Sequence, residues 1–228
     1  MFWDPTYILV IIGAVISMIA SMNVNSTYNR FSRVYAGRGL TAERVAEMIL
    51  REAGIHDVRI ERIRGSLTDH YSPKEKVLRL SDSVYGSTSV AAIGVAAHEC
   101  GHAIQHHEGY AALKLRSASV PLANIGSMMS WPIILIGLLL GAVQLAQIGV
   151  ILFTFVVAFQ LITLPVEFNA SNRAIRILDS STMLTREELG GAESVLRAAA
   201  LTYVAALFSS ILQLLRLLIL TRGGDRRR

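Results

Sequence analysis

The sequence predicts a mainly α-helical integral membrane protein, with about four membrane helices and a small antiparallel β-hairpin beside one short helix that carries polar chemistry. Three observations lead there. The 228 residues are 52% hydrophobic and only 17% charged, where soluble domains carry about 25% charge. Four apolar stretches approach the roughly 20 residues that cross a bilayer. The one long polar region contains both a helical repeat of apolar residues and short alternating runs.

The first apolar stretch covers residues 7–24, without a charge and mostly Ile, Val, Ala and Met. The preceding Met1-Phe-Trp-Asp-Pro5 has no basic n-region and no small-residue cleavage site follows, so the segment is expected to be a retained anchor. The second and third stretches, 120–143 and 145–166, are separated only by an uncharged loop around 141–147 and form a helical hairpin. The fourth, 198–220, is interrupted by Arg216.

The polar region, 25–118, starts with Arg30, Arg33 and Arg38. Thr41 opens a helix on which Val45, Ala46, Ile49, Leu50 and Ala53 recur at helical spacing, and Gly54 stands where a C-terminal cap belongs. Residues 58–63 alternate apolar and charged side chains, and 77–80 form a second strand candidate beyond a turn near Gly65-Ser66. Paired as a hairpin, these would leave an exposed edge on 77–80 for an extended substrate. A helix over 89–107 follows. Beyond the third span, 167–178 continues as helix after Pro165, and Thr185-Arg-Glu-Glu188 has the capping-box spacing that opens the last long helix. The expected organisation is one membrane domain over 1–228. Within it lie spans at 7–24, 120–166 and 198–220, the polar region 25–118 and a second polar loop 167–197.

Basic residues sort the loops. The first polar region holds 13 Lys or Arg and the loop 167–197 holds four, while the N-terminal end and the hairpin loop hold none. Both polar regions are therefore expected in the cytoplasm, at the inner or plasma membrane. Four complete spans would put the tail arginines, Arg222 and Arg226 to Arg228, on the other side. Either the fourth segment lies partly in the interface, or the rule fails locally. The net charge of +5 is read as topology signal and lipid-headgroup contact. No aromatic-basic motif suggests a nucleic acid, so the expected partners are the bilayer and a polypeptide. Cys100 stands alone, so no intrachain disulfide can form.

The chemistry concentrates in His98-Glu99-Cys100-Gly101-His102. Residues four apart share a helix face, so two imidazoles can reach one zinc ion while the intervening Glu activates a water. His106 continues the series, but about 12 Å along the axis from His98, too far for the same ion. The metzincin pattern fails, since Gln105 and Glu108 occupy its Gly and His positions. A carboxylate from another helix is needed. Glu167 is the candidate: the hairpin returns the chain to the side it left, and a carboxylate at a membrane boundary calls for a partner. Arg173, six residues later, is a candidate to neutralise it or to stabilise an oxyanion. His70, with Tyr71, and Tyr203 are further candidates for transition-state stabilisation.

Six stretches carry a family resemblance: Thr68-Asp-His-Tyr71, Lys76-Val-Leu-Arg-Leu-Ser81, Val84-Tyr85, Val95-Ala-Ala-His-Glu-Cys-Gly-His-Ala-Ile-Gln-His106, Leu164-Pro-Val-Glu-Phe-Asn-Ala-Ser171 and Ala199-Ala-Leu-Thr-Tyr-Val-Ala205. Together they resemble the YugP-like neutral zinc metallopeptidases of bacteria and, more distantly, the HtpX-like and CAAX-prenyl-type membrane proteases. The resemblance implies a gluzincin arrangement, with His98, His102 and Glu167 on one zinc ion per chain and Glu99 as base. The distant relatives place an Asp four residues after the ligand Glu, where this chain has Ser171.

The expected activity is hydrolysis of peptide bonds in unfolded or membrane-associated polypeptides at the cytoplasmic face. Intramembrane cleavage of the site-2 type fits less well, because the apolar run before His98 is short and no later N/D-P-x-x-G-like segment supplies an Asp. A non-catalytic scaffold with structural zinc would ordinarily offer four protein ligands, and only three good ones are present.

Overall fold

The computed structural model describes residues 4–223. Residues 1–3 and the tail from 224, with Arg226 to Arg228, lie outside the described residues. Six helices and three strands follow in the order α1 (Tyr7–Phe31), α2 (Ala42–Glu52), β1 (Arg59–Ile63), β2 (His70–Ser72), β3 (Val77–Ser81), α3 (Val90–His107), α4 (Ala111–Leu139), α5 (Val143–Ser180) and α6 (Arg186–Gly223). Four of the helices, α1, α4, α5 and α6, are long and apolar enough to cross a membrane.

The chain forms two compact units. One comprises Met1–Ser21, Lys114–Pro165 and Leu201–Arg228; the other comprises Met22–Leu113 and Val166–Ala200.

The first unit is made of apolar helix segments. α1 exposes Ile8, Ile11, Val15, Met18 and Ile19, as expected of a helix whose environment is lipid. Its small core gathers Ile134, Val150, Phe153 and Leu217. Gly141, at φ +65°, turns α4 into α5. The two helices then pack backbone to backbone: a Cβ on Gly149 would lie 2.6 Å from Ile134 Cγ1 and 2.9 Å from Ser130 O, and one on Gly137 would lie 2.4 Å from Ala146 N. α1 and α6 run antiparallel, with Gly13 against Ser209 and Arg216 pairing with Asp4 at 3.2 Å and stacking 4.0 Å over the Tyr7 ring. Arg216 therefore lies level with the start of α1, at the end of the fourth apolar segment and not midway through it.

The second unit holds the sheet and α3. In α2, Val45, Ala46, Ile49 and Leu50 are fully or nearly fully buried against α3. The helix stops as the sequence predicts: Gly54 takes φ +71°, and the Ile55 and Gly54 amides donate to Leu50 O and Arg51 O, a Schellman closure. The Thr185 capping box is complete, with the Thr185 amide donating to Glu188 Oε2 at 2.8 Å and the Glu188 amide to Thr185 Oγ1 at 3.3 Å.

The sheet departs from expectation in its pairing. Its order is β1-β3-β2. β1 pairs with β3 in parallel, and the antiparallel partner of β3 is β2. The hairpin thus joins 70–72 to 77–81 through a turn with Lys76 at φ 53°. A single turn at Gly65-Ser66 cannot make two consecutive strands parallel; the chain passes to the far side first, through Gly65 at φ +112° and Leu67 at φ 55°. This also corrects the expected free edge. β3 is the central strand, with buried Val77, Leu78 and Leu80, and the edges are β1 and β2.

The α4–α5 approach gives a direct expectation. Gly149→Leu drives a side chain into the α4 backbone and should lower the melting temperature in detergent by several degrees or abolish folding, as overpacking costs of about 1–3 kcal/mol imply. Unchanged melting would contradict the close helix contact.

Candidate metal centre

α3 is built to be held on all sides. Ser89 caps it, its hydroxyl accepting from the Ala92 amide at 3.2 Å. Gly109, at φ +68°, ends it, with the Tyr110 amide donating to Gln105 O. Cys100 lies against α2, its thiol donating to Ala46 O at 3.7 Å; burial pushes that thiol's pKa up, with Glu99 adding to it. Gly94 meets Ala192 of α6, whose Cβ would be 3.3 Å from an added Cβ. Gly101 faces α5, where an added Cβ would sit 2.5 Å from Ala170 O. Only glycine permits that approach, and the approach brings Glu167 up to the two histidines.

The ligand atoms converge. Glu167 Oε2 lies 3.3 Å from His98 Nε2 and 3.6 Å from His102 Nε2. One ligand atom of each residue falls within 4.8 Å of the others. Bonds of about 2.0–2.1 Å at tetrahedral angles put neighbouring ligand atoms about 3.3 Å apart. The residues therefore fit a zinc ion in chemistry and in spacing. The imidazole planes are near perpendicular, 85° apart, with centroids 4.8 Å apart. Glu167 is 3% exposed, a burial that an ionised carboxylate tolerates only beside cations or donors. At His102, burial opposes protonation, but the nearby Glu167 carboxylate and the Glu99 charge outweigh it and raise the imidazole pKa.

The other predicted residues are placed as follows. Glu99 is buried beside His98. Arg173 donates from Nε to Asn169 Oδ1 at 2.7 Å and pairs with Glu108 at 2.7 Å, which holds the Glu108 carboxyl below its ordinary range. His70 is exposed on β2, with Nδ1 3.0 Å from Thr68 O. Its neighbour Tyr71 reaches α3, its hydroxyl 2.8 Å from His106 Nδ1; burial raises the phenol to about 12. Tyr203 is 41% exposed on α6, in the segment that belongs to the other unit.

Sequence reasoning assigned no contact with the histidines to three polar side chains that stand around them. Ser171 Oγ lies 3.1 Å from His98 Nδ1. Gln105 Oε1 lies 3.0 Å from His102 Nδ1, and Gln105 in turn reaches Asn169. Their i+4 and i+3 spacings from Glu167 and His102 were the available signal. A separate cavity of about 560 Å³ is lined by residues that include Ile49, Ile104, Glu108, Arg173 and Ile177, and by none of the three candidate ligands.

Gly101→Ala tests the helix contact. The methyl cannot be placed without moving Ala170, so the variant should melt several degrees lower and bind zinc at least tenfold more weakly. Wild-type values for both in a folded variant would show that the contact does not set the site.

Residues 6–222 match the model of a family described as "Putative neutral zinc metallopeptidase". The chain is 46% identical over 209 residues, 92% of its length and 93% of the relative's, to the "Putative membrane protease YugP" of Bacillus subtilis. No solved structure matches. With nearly its whole length matched, the chain belongs to this neutral zinc metallopeptidase family.

Proposed function

We propose that the chain is a zinc-dependent membrane endopeptidase in which His98, His102 and Glu167 hold one zinc ion and Glu99 is the general base. The observation that carries this reading is the pair of carboxylate–imidazole separations, 3.3 and 3.6 Å, which are those of a tetrahedral zinc site. Three protein ligands leave the open position of a catalytic centre and not the closed shell of a structural one.

Bound zinc would supply Lewis acidity, polarising a peptide carbonyl and making water easier to deprotonate. Glu99 takes the proton from that water as its oxygen attacks the carbonyl carbon. The same proton then passes from Glu99 to the amide nitrogen as the C–N bond breaks, so the peptide and one water become an acid and an amine. The Ser171 hydroxyl holds the His98 imidazole in place. The free edge of β2, beside Tyr71 and the last turn of α3, supports binding of an extended polypeptide by strand pairing. The substrate class is unfolded or membrane-associated polypeptide. The distribution of Lys and Arg supports a cytoplasmic active site in a bacterial inner membrane.

Two measurements test this. Purified wild type should hold one zinc per chain and cleave an unfolded polypeptide. Glu99→Gln should keep the metal and lose about 10²–10⁴ in rate, and Glu167→Ala should lose the metal. Retention of hydrolysis by Glu99→Gln, or cleavage confined to free dipeptides, would sink the endopeptidase reading. For orientation, Ser66→Cys places a thiol in an exposed loop while Cys100 stays buried. A membrane-impermeant maleimide should label it in inverted vesicles and not on intact cells; the reverse pattern would place the site outside.

A further inference from the structure

Gln105 stands one turn beyond His102 on α3 and is completely buried. A wholly buried primary amide must place two donors and an acceptor, and all three find partners. Nε2 donates to Val166 O at 2.8 Å and to Asn169 Oδ1 at 2.9 Å. Oε1 lies 3.0 Å from His102 Nδ1.

The direction of this wiring is determined by its ends. Val166 O is a backbone carbonyl and can only accept, so the amide nitrogen must face it. Asn169 Oδ1 is likewise an acceptor, because Arg173 Nε donates to it at 2.7 Å and a guanidinium only donates. Gln105 Oε1 must then face His102, and His102 Nδ1 must carry the hydrogen. The lone pair of His102 is thereby left on Nε2, the atom turned toward Glu167. Val166 also immediately precedes Glu167. One side chain thus grips the imidazole of one candidate ligand and the backbone beside another, across two helices.

We infer that Gln105 is a positioning residue for the metal centre, fixing the tautomer and ring direction of His102 and holding α5 at the distance where Glu167 joins it. The inference rests on the zinc site proposed above. Outer-shell partners of this type typically alter metal affinity by about 10–100-fold when removed.

The test is Gln105→Met, which keeps the length and apolar packing and removes all three hydrogen bonds. Zinc affinity in metal-buffered solution should fall about 10–100-fold, and the visible bands of the cobalt-substituted protein should shift, reporting altered ligand geometry. Gln105→Glu restores an acceptor for His102 Nδ1–H and should recover part of the affinity. A merely structural role would lower melting of the metal-free protein and leave affinity and cobalt bands where they were. A folded Gln105→Met with wild-type affinity and cobalt spectrum overturns the inference. If Gln105→Met does not fold, Asn169→Leu removes one anchor of the amide; several-fold weaker zinc binding supports the inference and wild-type binding overturns it. Wild-type protein that binds no zinc overturns the metal reading itself, an outcome distinguishable from any behaviour of the Gln105 variants.

Discussion

The structure around the site depends on one steric fact: α3 and α5 touch through their backbones at Gly101 and Ala170. An added methyl would stand 2.5 Å from Ala170 O, well inside contact distance. A side chain of any size at 101 would push the helices apart. Imidazoles and a carboxylate are short, and a zinc bond tolerates only about 0.2 Å of error. The approach has no slack. What reads in the sequence as a small residue between two histidines is, in the folded chain, the clearance that lets a carboxylate from a residue 65 positions beyond His102 reach them. The fully buried stripe of α2 and the contact of Gly94 with Ala192 press α3 from its other sides, so the helix has no direction in which to retreat.

Helix length accounts for where Glu167 falls. α5 has 38 residues, about 57 Å at 1.5 Å per residue, whereas the hydrocarbon core is about 30 Å thick. Roughly half of the helix therefore extends beyond what an apolar environment requires, and the composition changes at Pro165. Before it, α5 is apolar apart from Gln144, Gln147, Thr154, Gln160 and Thr163; after it come Glu167, Asn169, Ser171 and Arg173. Pro165 lacks an amide hydrogen, so the carbonyl of residue 161 loses its helical partner nearly two turns before Glu167. One helix thus carries both an apolar span and a candidate ligand. A site mounted on such a helix keeps its geometry better than one mounted on loops.

The parts of this arrangement that were legible in the sequence are those written in local spacing. The i, i+4 histidines, the Schellman glycine at 54, the capping box at Thr185 and the apolar runs each depend on residues within a turn or two, and each took the predicted local form. Glu167 could be nominated because topology constrains it: a hairpin returns the chain to the side it left. The sheet pairing was not legible, because alternation identifies a strand but not its neighbour. The crossover that makes β1 parallel to β3 is set by a strand of only three residues, 70–72, too short for a periodicity signal. Gln105 and Ser171 escaped for a related reason. Their partners, His102 with Val166 and Asn169 in one case and His98 in the other, are settled by how two helices cross. Gln105 entered the sequence reading only as the residue that broke a metzincin pattern, whereas in the fold it is the most fully bonded side chain beside the histidines.

Charge balance ties these features together. Two carboxylates, Glu99 on α3 and Glu167 on α5, are buried. Two neutral imidazoles do not compensate two negative charges. Burial acts against protonation of His102, but Glu167 and Glu99 raise its pKa. A divalent cation would cancel both carboxylates at once and need no proton. The family to which the chain belongs is described as "Putative neutral zinc metallopeptidase", and two buried carboxylates suit a cation of that valence. Since the metal and the proton answer the same electrostatic need, they compete for the same imidazole. Gln105 would bear on that competition from the far side of the ring: its carbonyl faces Nδ1, which leaves Nε2 as the atom for which metal and proton would compete.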